Sequence, residues 1–320
     1  MMKIKTKTKG RILSILTALA MVMTLFPAQL PVLADEYDEY GFASDGTYEP
    51  AEQNGDGYYE IGNVGQLLWF GALVNGDTSQ TNITEADSDA NAVLTADLDF
   101  SNYGDKYVPI GWTSFSSSTT SYTDVGYGGI FDGQGYEIKN LTINTSNVSS
   151  MGTVGIFGTV TGTVKNLGVD NFYFSRGSTD GRFGAIAGLL VQSTYNEETH
   201  TGTIQNCYVV NSDVLSSGTI TGVMVGANYA GEIVNSYAYN STNTGASRIG
   251  YLVGDNRNDG SNLTGTVTNC YADGTLVGTY SGTVTDGEES VSDDSFTSGE
   301  MARTLQSTNT DDEIYWGTIF

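Results

Sequence analysis

Five short stretches of this chain carry one pattern: "YEIKNLTI" at 136–143, "GTVKNLGV" at 162–169, "GTIQNCYV" at 202–209, "GEIVNSYA" at 231–238 and "GTVTNCYA" at 265–272. Aligned, they place Asn140, Asn166, Asn206, Asn235 and Asn269 in one column at intervals of 26, 40, 29 and 34 residues. A second unit alternates with the first: "VGIFG" (154–158), "FGAIAG" (183–188), "TGVMVG" (221–226) and "IGYLVG" (249–254). Self-similarity of this kind is the mark of a repeat architecture. Two alternating units with spacers of unequal length predict an all-β chain folded as a solenoid whose coils differ in loop length. Parallel crossovers are right-handed as a general rule. Propeller blades and an immunoglobulin-like sandwich account poorly for near-identical short strands at such irregular spacing.

The columns also predict facing. Ile138, Val164, Ile204, Ile233 and Val267 are β-branched, as are Ile143, Val169 and Val209, which give way to Ala238 and Ala272; these positions are expected inside. Leu141, Leu167, Cys207, Ser236 and Cys270 share their parity and are expected inside too. Strands of successive coils lie about 4.8 Å apart. Cys207 and Cys270, with Ser236 between them, should therefore stand roughly 9 to 10 Å apart, beyond the reach of a disulfide. Two buried, unpaired thiols are expected, against the usual habit of exported proteins. The Asn column sits where the strand must bend, and Asn tolerates left-handed backbone and can hydrogen-bond from coil to coil.

Residues 1–34 read as a Sec signal peptide: Lys3, Lys5, Lys7, Lys9 and Arg11 precede an apolar run from Ile12 to Phe26, and "VLA" ends at Ala34. The run is shorter than the roughly 20 residues of a spanning helix, so the mature chain is expected to begin at Asp35, without a transmembrane segment, secreted or at the cell surface. Cleavage removes five of the thirteen Lys and Arg and none of the 37 Asp and Glu, leaving eight cations and a net charge of −29. Such a surface repels nucleic acid and anionic lipid, and it permits calcium or a cationic partner. Residues 35–57 read as an acidic linker, 58–285 as the β-helix, and 286–320 as an acidic connector with a C-terminal cap.

Each end of a solenoid needs a cap. Asn63 with Gln66 forms a capping-box signal opening "VGQLLWFGALVNG", a short amphipathic helix in this reading. Thr297 and Glu300 could cap a second helix, "EMARTLQS", ahead of an apolar "EIYWGTIF". The ordered series "DGYYEIGNVGQLLWFGALVNG", "AVLTADLDFS", "YVPIGW", "GGIFDGQGYEIKNLTI" and the alternating units resembles the GLUG-motif proteins over roughly residues 56 to 320. That resemblance implies a right-handed parallel β-helix on a large extracellular bacterial protein, often beside adhesin, immunoglobulin-like or wall-attachment modules. GLUG units also accompany immunoglobulin-A-cleaving metallopeptidases, from which this chain departs by having no H-E-x-x-H.

Little in the sequence resembles reaction chemistry. His200, the one histidine, lies in the polar insertion "YNEETHTG" and reads as a solvated loop residue. Asp97 and Asp99 would share a face of a strand and could bind calcium or serve as acid and base, but a polar outer edge is the plainer reading. "NGDG" at 54–57 lacks the distal glutamate of a calcium loop and reads as a turn. Asn82, Asn140, Asn144, Asn147, Asn240 and Asn262 match the glycan-acceptor pattern, which arises readily by chance in such a chain.

The outward column after the cysteines holds Thr142, Gly168, Tyr208, Tyr237 and Tyr271. Tyr208, Tyr237 and Tyr271 would form an exposed aromatic stack suited to sugar rings or peptides, and they are the candidate ligand-binding residues. The favoured function is a non-catalytic adhesion or interaction module meeting a host protein, a glycan or a cell-envelope component, with no cofactor required. A polysaccharide-active β-helix enzyme and a purely structural stalk are the alternatives.

Overall fold

The computed structural model describes residues 37–112, 126–149, 151–177, 180–195, 198–217, 220–245, 247–257, 264–280, 282–285, 291–292, 295–296 and 305. The segment read as a signal peptide with its Ala34 site, Asn262, most of the stretch read as a C-terminal connector, the expected second helix apart from Leu305, and "EIYWGTIF" lie outside them.

The described chain is all-β, with one α-helix and five sheets. From residue 130 onward the chain visits the sheets in turn. Thr163–Lys165, Gly168–Asp170, Tyr173–Arg176, Arg182–Phe183 and Ala187–Tyr195 each add one strand to a different sheet. The next pass repeats the circuit with Thr203–Gln205, Tyr208–Val210, Asp213–Ser216, Ile220–Gly222 and Val225–Tyr229, paired in parallel with the pass before. Glu232–Val234, Tyr237–Tyr239, Thr242–Thr244, Arg248–Gly250 and Val253–Arg257 then stack on that pass.

Most strands run two to five residues, Ala187–Tyr195 with nine being the exception, and each pass turns one row of side chains per sheet into the core. Phe131, Val164, Ile204, Ile233 and Val267 form one fully buried row, and Ile138, Val169, Val209, Ala238 and Ala272 another. Leu141, Leu167, Cys207, Ser236 and Cys270 are also fully buried, as their parity requires. The thiols of Cys207 and Cys270 are free.

The turns between sheets are made by asparagine. Asn166, Asn206, Asn235 and Asn269 have φ of 53°, 55°, 49° and 52°, in the left-handed region that Asn tolerates. A second, unforeseen column follows five residues later: Asn171, Asn211 and Asn240, at 56°, 52° and 47°. Asn140 belongs to this second column. Gly168 pairs with Glu137 and Val169 with Ile138, and the Asn171 amide donates to Asn140 Oδ1 at 2.7 Å. The expected alignment of "YEIKNLTI" was therefore displaced by one turn. Both turns carry an Asn followed by an apolar or small residue, so similarity alone cannot tell them apart. Burial of Ile138, Leu141 and Ile143 survives the correction, because the two turns share the same parity.

The second repeat unit marks a corner where backbones touch. A Cβ on Gly188 would stand 2.5 Å from the Val154 nitrogen, and one on Gly226 2.5 Å from the Phe183 nitrogen. Only glycine allows walls to meet this closely. Between the glycines, Ile156, Ile186, Met224 and Leu252 are fully buried in the main core.

The N-terminal cap is helix α1, Val64–Asn75. Asn63 accepts from the Gln66 amide at 2.9 Å, and Gly76 closes the helix at φ 74°. The Gln66 side chain reaches back to the Gly62 amide at 2.8 Å, one residue earlier than a standard capping box. The helix is not amphipathic as expected, since Val64 to Val74 are buried on nearly every side except Gln66. The cause is residues 37–57, which form a packed arm in place of a linker. Glu52–Gln53 pairs antiparallel with Tyr59–Ile61 through the turn at Asn54–Gly57, and Gly65 donates to the Tyr40 carbonyl at 2.7 Å. On the other side, Phe70 meets Tyr127 and Phe131.

Gly226→Ala should lower unfolding free energy by about 3 kcal/mol through backbone collision, whereas Gly177→Ala, with open space around its Cβ position, should stay within about 0.5 kcal/mol of the parent. Urea denaturation of the two variants checks this, and equal stabilities would refute the corner's role.

Candidate functional site

The tyrosine column is continuous, but it is covered. Glu137, Gly168, Tyr208, Tyr237 and Tyr271 pair in sequence from strand to strand, so Glu137 takes the place expected of Thr142. The rings of Tyr208 and Tyr237 stack at 5.3 Å with planes 9° apart. Gly168 leaves room for Tyr208 to lie across it, since a Cβ there would strike the phenol at 2.5 Å. Through that gap the Tyr208 hydroxyl donates to Glu137, and the Tyr271 hydroxyl donates to Asn269 Oδ1 at 2.8 Å.

The expected exposure of the stack is overturned. Tyr208, Tyr237 and Tyr271 are 7%, 7% and 9% exposed, in one cluster with Val291, Phe296 and Leu305. Phe296 stacks on Tyr239 at 4.5 Å and leans on Tyr237 at 5.7 Å. These rings do face away from the main core, as their parity dictates. The C-terminal part of the same chain lies over them and takes up the apolar surface that a ligand would need. Burial first, then Glu137, raises the Tyr208 phenol well above its ordinary range, and burial raises Tyr237.

The acidic candidates are engaged in structure. Asp97 accepts from the Glu137 amide and from Lys139 Nζ, both at 3.0 Å. Asp99 accepts from the Ser101 amide and hydroxyl at 2.9 and 2.6 Å and from Asn140 Nδ2 at 2.9 Å. The Ser101 and Asn140 side-chain bonds hold its carboxyl below the usual range. Asn54 Oδ1 accepts from the amides of Asp56 and Tyr58, which makes "NGDG" a hairpin turn as read. His200 lies on a strand, Glu198–Thr201, where a loop was expected. It pairs antiparallel with the end of Ala187–Tyr195, opposite Ser193, and is half-buried. No group of three or more His, Cys, Asp or Glu able to hold a metal occurs among the described residues. Asn140 and Asn240 spend their amide hydrogens on Asp99 and Asn211, which makes them poor glycan acceptors.

One exposed ring was missed. In "NFYFSR" Phe172 and Phe174 are 1% exposed and Tyr173 between them is 40% exposed. Period-two alternation was the available signal. It was obscured because this strand begins at the second, unrecognised turn.

No protein-family model and no curated protein matches the chain. Among solved structures, the crystal structure of a candidate immunoglobulin A1 protease from Bacteroides ovatus is similar at a TM-score of 0.45 and 18% identity, over 82% of this chain and 91% of that one. A likeness at that level carries no argument about activity. Among the described residues no helix is long and apolar enough to cross a membrane.

Burial raises both thiols to about 12, so a thiol reagent at neutral pH should leave the native chain unmodified and modify both cysteines in denaturant; fast labelling of the native form would refute their burial. The buried tyrosines also titrate on the alkaline side. A phenol raised on folding contributes stability that is full below about pH 10 and lost as pH rises further. Alkaline titration by tyrosinate absorbance should thus show a late group of phenols ionising together with unfolding, and a single transition near the free value would refute it.

Proposed function

We propose that the protein is an exported, non-catalytic interaction module built on a right-handed parallel β-helix of the GLUG type. The observation that supports this best is the in-register stacking of successive passes, each joined to the last by asparagine side chains at two turns. Such a body is rigid and repeats the same outward positions pass after pass, which suits extended display to a partner. The signal-like residues 1–34 place the mature chain outside the cell in this reading, and a host protein, a glycan or a cell-envelope component is its partner. The net charge of −29 left by cleavage argues against nucleic acid.

The covering of Tyr208, Tyr237 and Tyr271 moves recognition away from them and lends weight to a structural-stalk reading as the alternative. A carboxylate-based polysaccharide enzyme gains no support from Asp97 and Asp99, which are committed to bonds with the neighbouring pass.

The folded chain should retain ligand on an array of host proteins and glycans, unchanged by a chelator if calcium plays no part. Retention with no cleavage of the captured molecule supports the module; complete silence on the array favours the stalk, and cleavage would return the enzyme reading.

A further inference from the structure

A second face of the molecule has the chemistry of a binding site. The outer side of the sheet formed by Thr142–Ile143, Tyr173–Arg176, Asp213–Ser216 and Thr242–Thr244 carries two clefts, of about 490 and 440 Å³, that meet at Ser175. The floor of the larger exists because Gly104 has no side chain: a Cβ there would lie 2.2 Å from the Thr142 carbonyl oxygen. The short helical turn Gly104–Lys106 therefore sits directly against the strand and brings Asn102 and Asp105 to the rim.

Two properties distinguish this groove from the rest of the surface. Among the residues of described burial, Tyr40 is the other strongly exposed tyrosine, and it is occupied by Tyr103 at 5.2 Å. Tyr173 has neither a ring contact nor a side-chain hydrogen bond among the described residues. Around it, Asp105, Asn102, Thr142, Thr145 and Ser175 line the cleft, and none of these side chains makes a hydrogen bond to another side chain among the described residues, although Asp105 also lies near enough to Tyr48 to join burial and Asp77 in raising its phenol. The neighbouring cation is already committed, since Arg176 donates to the Ser149 and Met151 carbonyls at 2.7 and 2.8 Å.

We infer that this groove binds a neutral oligosaccharide, with Tyr173 as the stacking platform and Asp105 and Asn102 as hydroxyl-recognising groups; the inference rests on the reading of the chain as a non-catalytic interaction module. An aromatic face with a polar edge takes the CH side of a sugar ring. A carboxylate accepts strong hydrogen bonds from vicinal hydroxyls, and a few fixed polar groups beside such a surface set orientation. Anionic sugars are disfavoured by Asp105 and by the overall charge. A peptide would look for a free strand edge or apolar pockets, whereas this is a sheet face with a single ring. Passes repeat every 4.8 Å or so, and the column through Tyr173 reads Thr142, Tyr173, Asp213 and Thr242, so a linear chain lying across them would meet one ring flanked by hydroxyl and carboxylate groups.

The test is calorimetric titration of the full chain with cellohexaose, maltohexaose and mannohexaose, and with an oligogalacturonate as the anionic comparison. One or more neutral chains should bind; Tyr173→Ala should weaken that binding about tenfold, the worth of one good stack, and Tyr173→Phe should stay within about twofold. Tyr173 is solvent-facing, and circular dichroism verifies that both variants fold. Unchanged affinity in Tyr173→Ala would overturn the site. Binding of the oligogalacturonate alone, or of no sugar, would overturn the ligand class, and a host protein captured on the array would then leave the module reading standing. Shortening of a bound chain, read as new reducing ends, would instead overturn the non-catalytic reading while leaving the groove in place.

Discussion

Everything in this fold depends on a residue that can turn left and still hold its neighbour. A non-glycine residue in the left-handed region costs roughly 1 kcal/mol or more, and the described chain takes that conformation at Asn166, Asn206, Asn235 and Asn269 and again at Asn140, Asn171, Asn211 and Asn240. Asn relieves the cost locally, and its side chain then bonds across passes, as in Asn206 to Asn166 at 3.2 Å, Asn269 to Asn235 at 2.6 Å and Asn240 to Asn211 at 2.6 Å. Each such bond is worth about 1 kcal/mol net. Their larger effect is on register, because a pass displaced by one residue would put a side chain such as Lys165, Leu167, Gln205 or Cys207 where the amide must be.

Buried hydroxyls complete the same device. Ser236 follows Asn235 and accepts from the Cys207 amide at 3.1 Å, while donating to the Val234 carbonyl at 2.8 Å. Ser212, following Asn211, accepts from the Phe172 amide at 3.0 Å and donates to the Val210 carbonyl at 2.7 Å. Charge is used just as locally. Lys139 and Lys165 reach Asp97 and Asp132 of the adjoining pass, and Arg248 and Arg257 enclose the buried Asp255. The few cations of an acidic chain thus stand where carboxylates would otherwise crowd.

What the sequence revealed, and what it hid, follows from distance along the chain. Inward positions such as Val164, Ile204 and Cys270 were legible because strand parity is local, and the free cysteines followed from parity plus one spacing. The N-cap at Asn63 was legible for the same reason. The placing of Asn140 failed because two turns within one pass look alike. The openness of Tyr208, Tyr237 and Tyr271 failed because nothing in those stretches reports that Val291 and Phe296 return to cover them. Tyr173 was overlooked because its strand begins at the turn that had not been recognised, and Asp105 because only Gly104 and the fold bring it beside that ring.

The hairpin formed by the end of Ala187–Tyr195 and Glu198–Thr201 shows how such a molecule can change. The interval from Asn166 to Asn206 is 40 residues where the next is 29, yet Thr203–Gln205 still pairs in register with Thr163–Lys165 below and Glu232–Val234 above. The added length leaves one sheet, pairs with itself, and returns at Gly202. Insertion is therefore uncoupled from stacking: this projection could be lengthened, shortened or exchanged without disturbing the register of the passes below and above it.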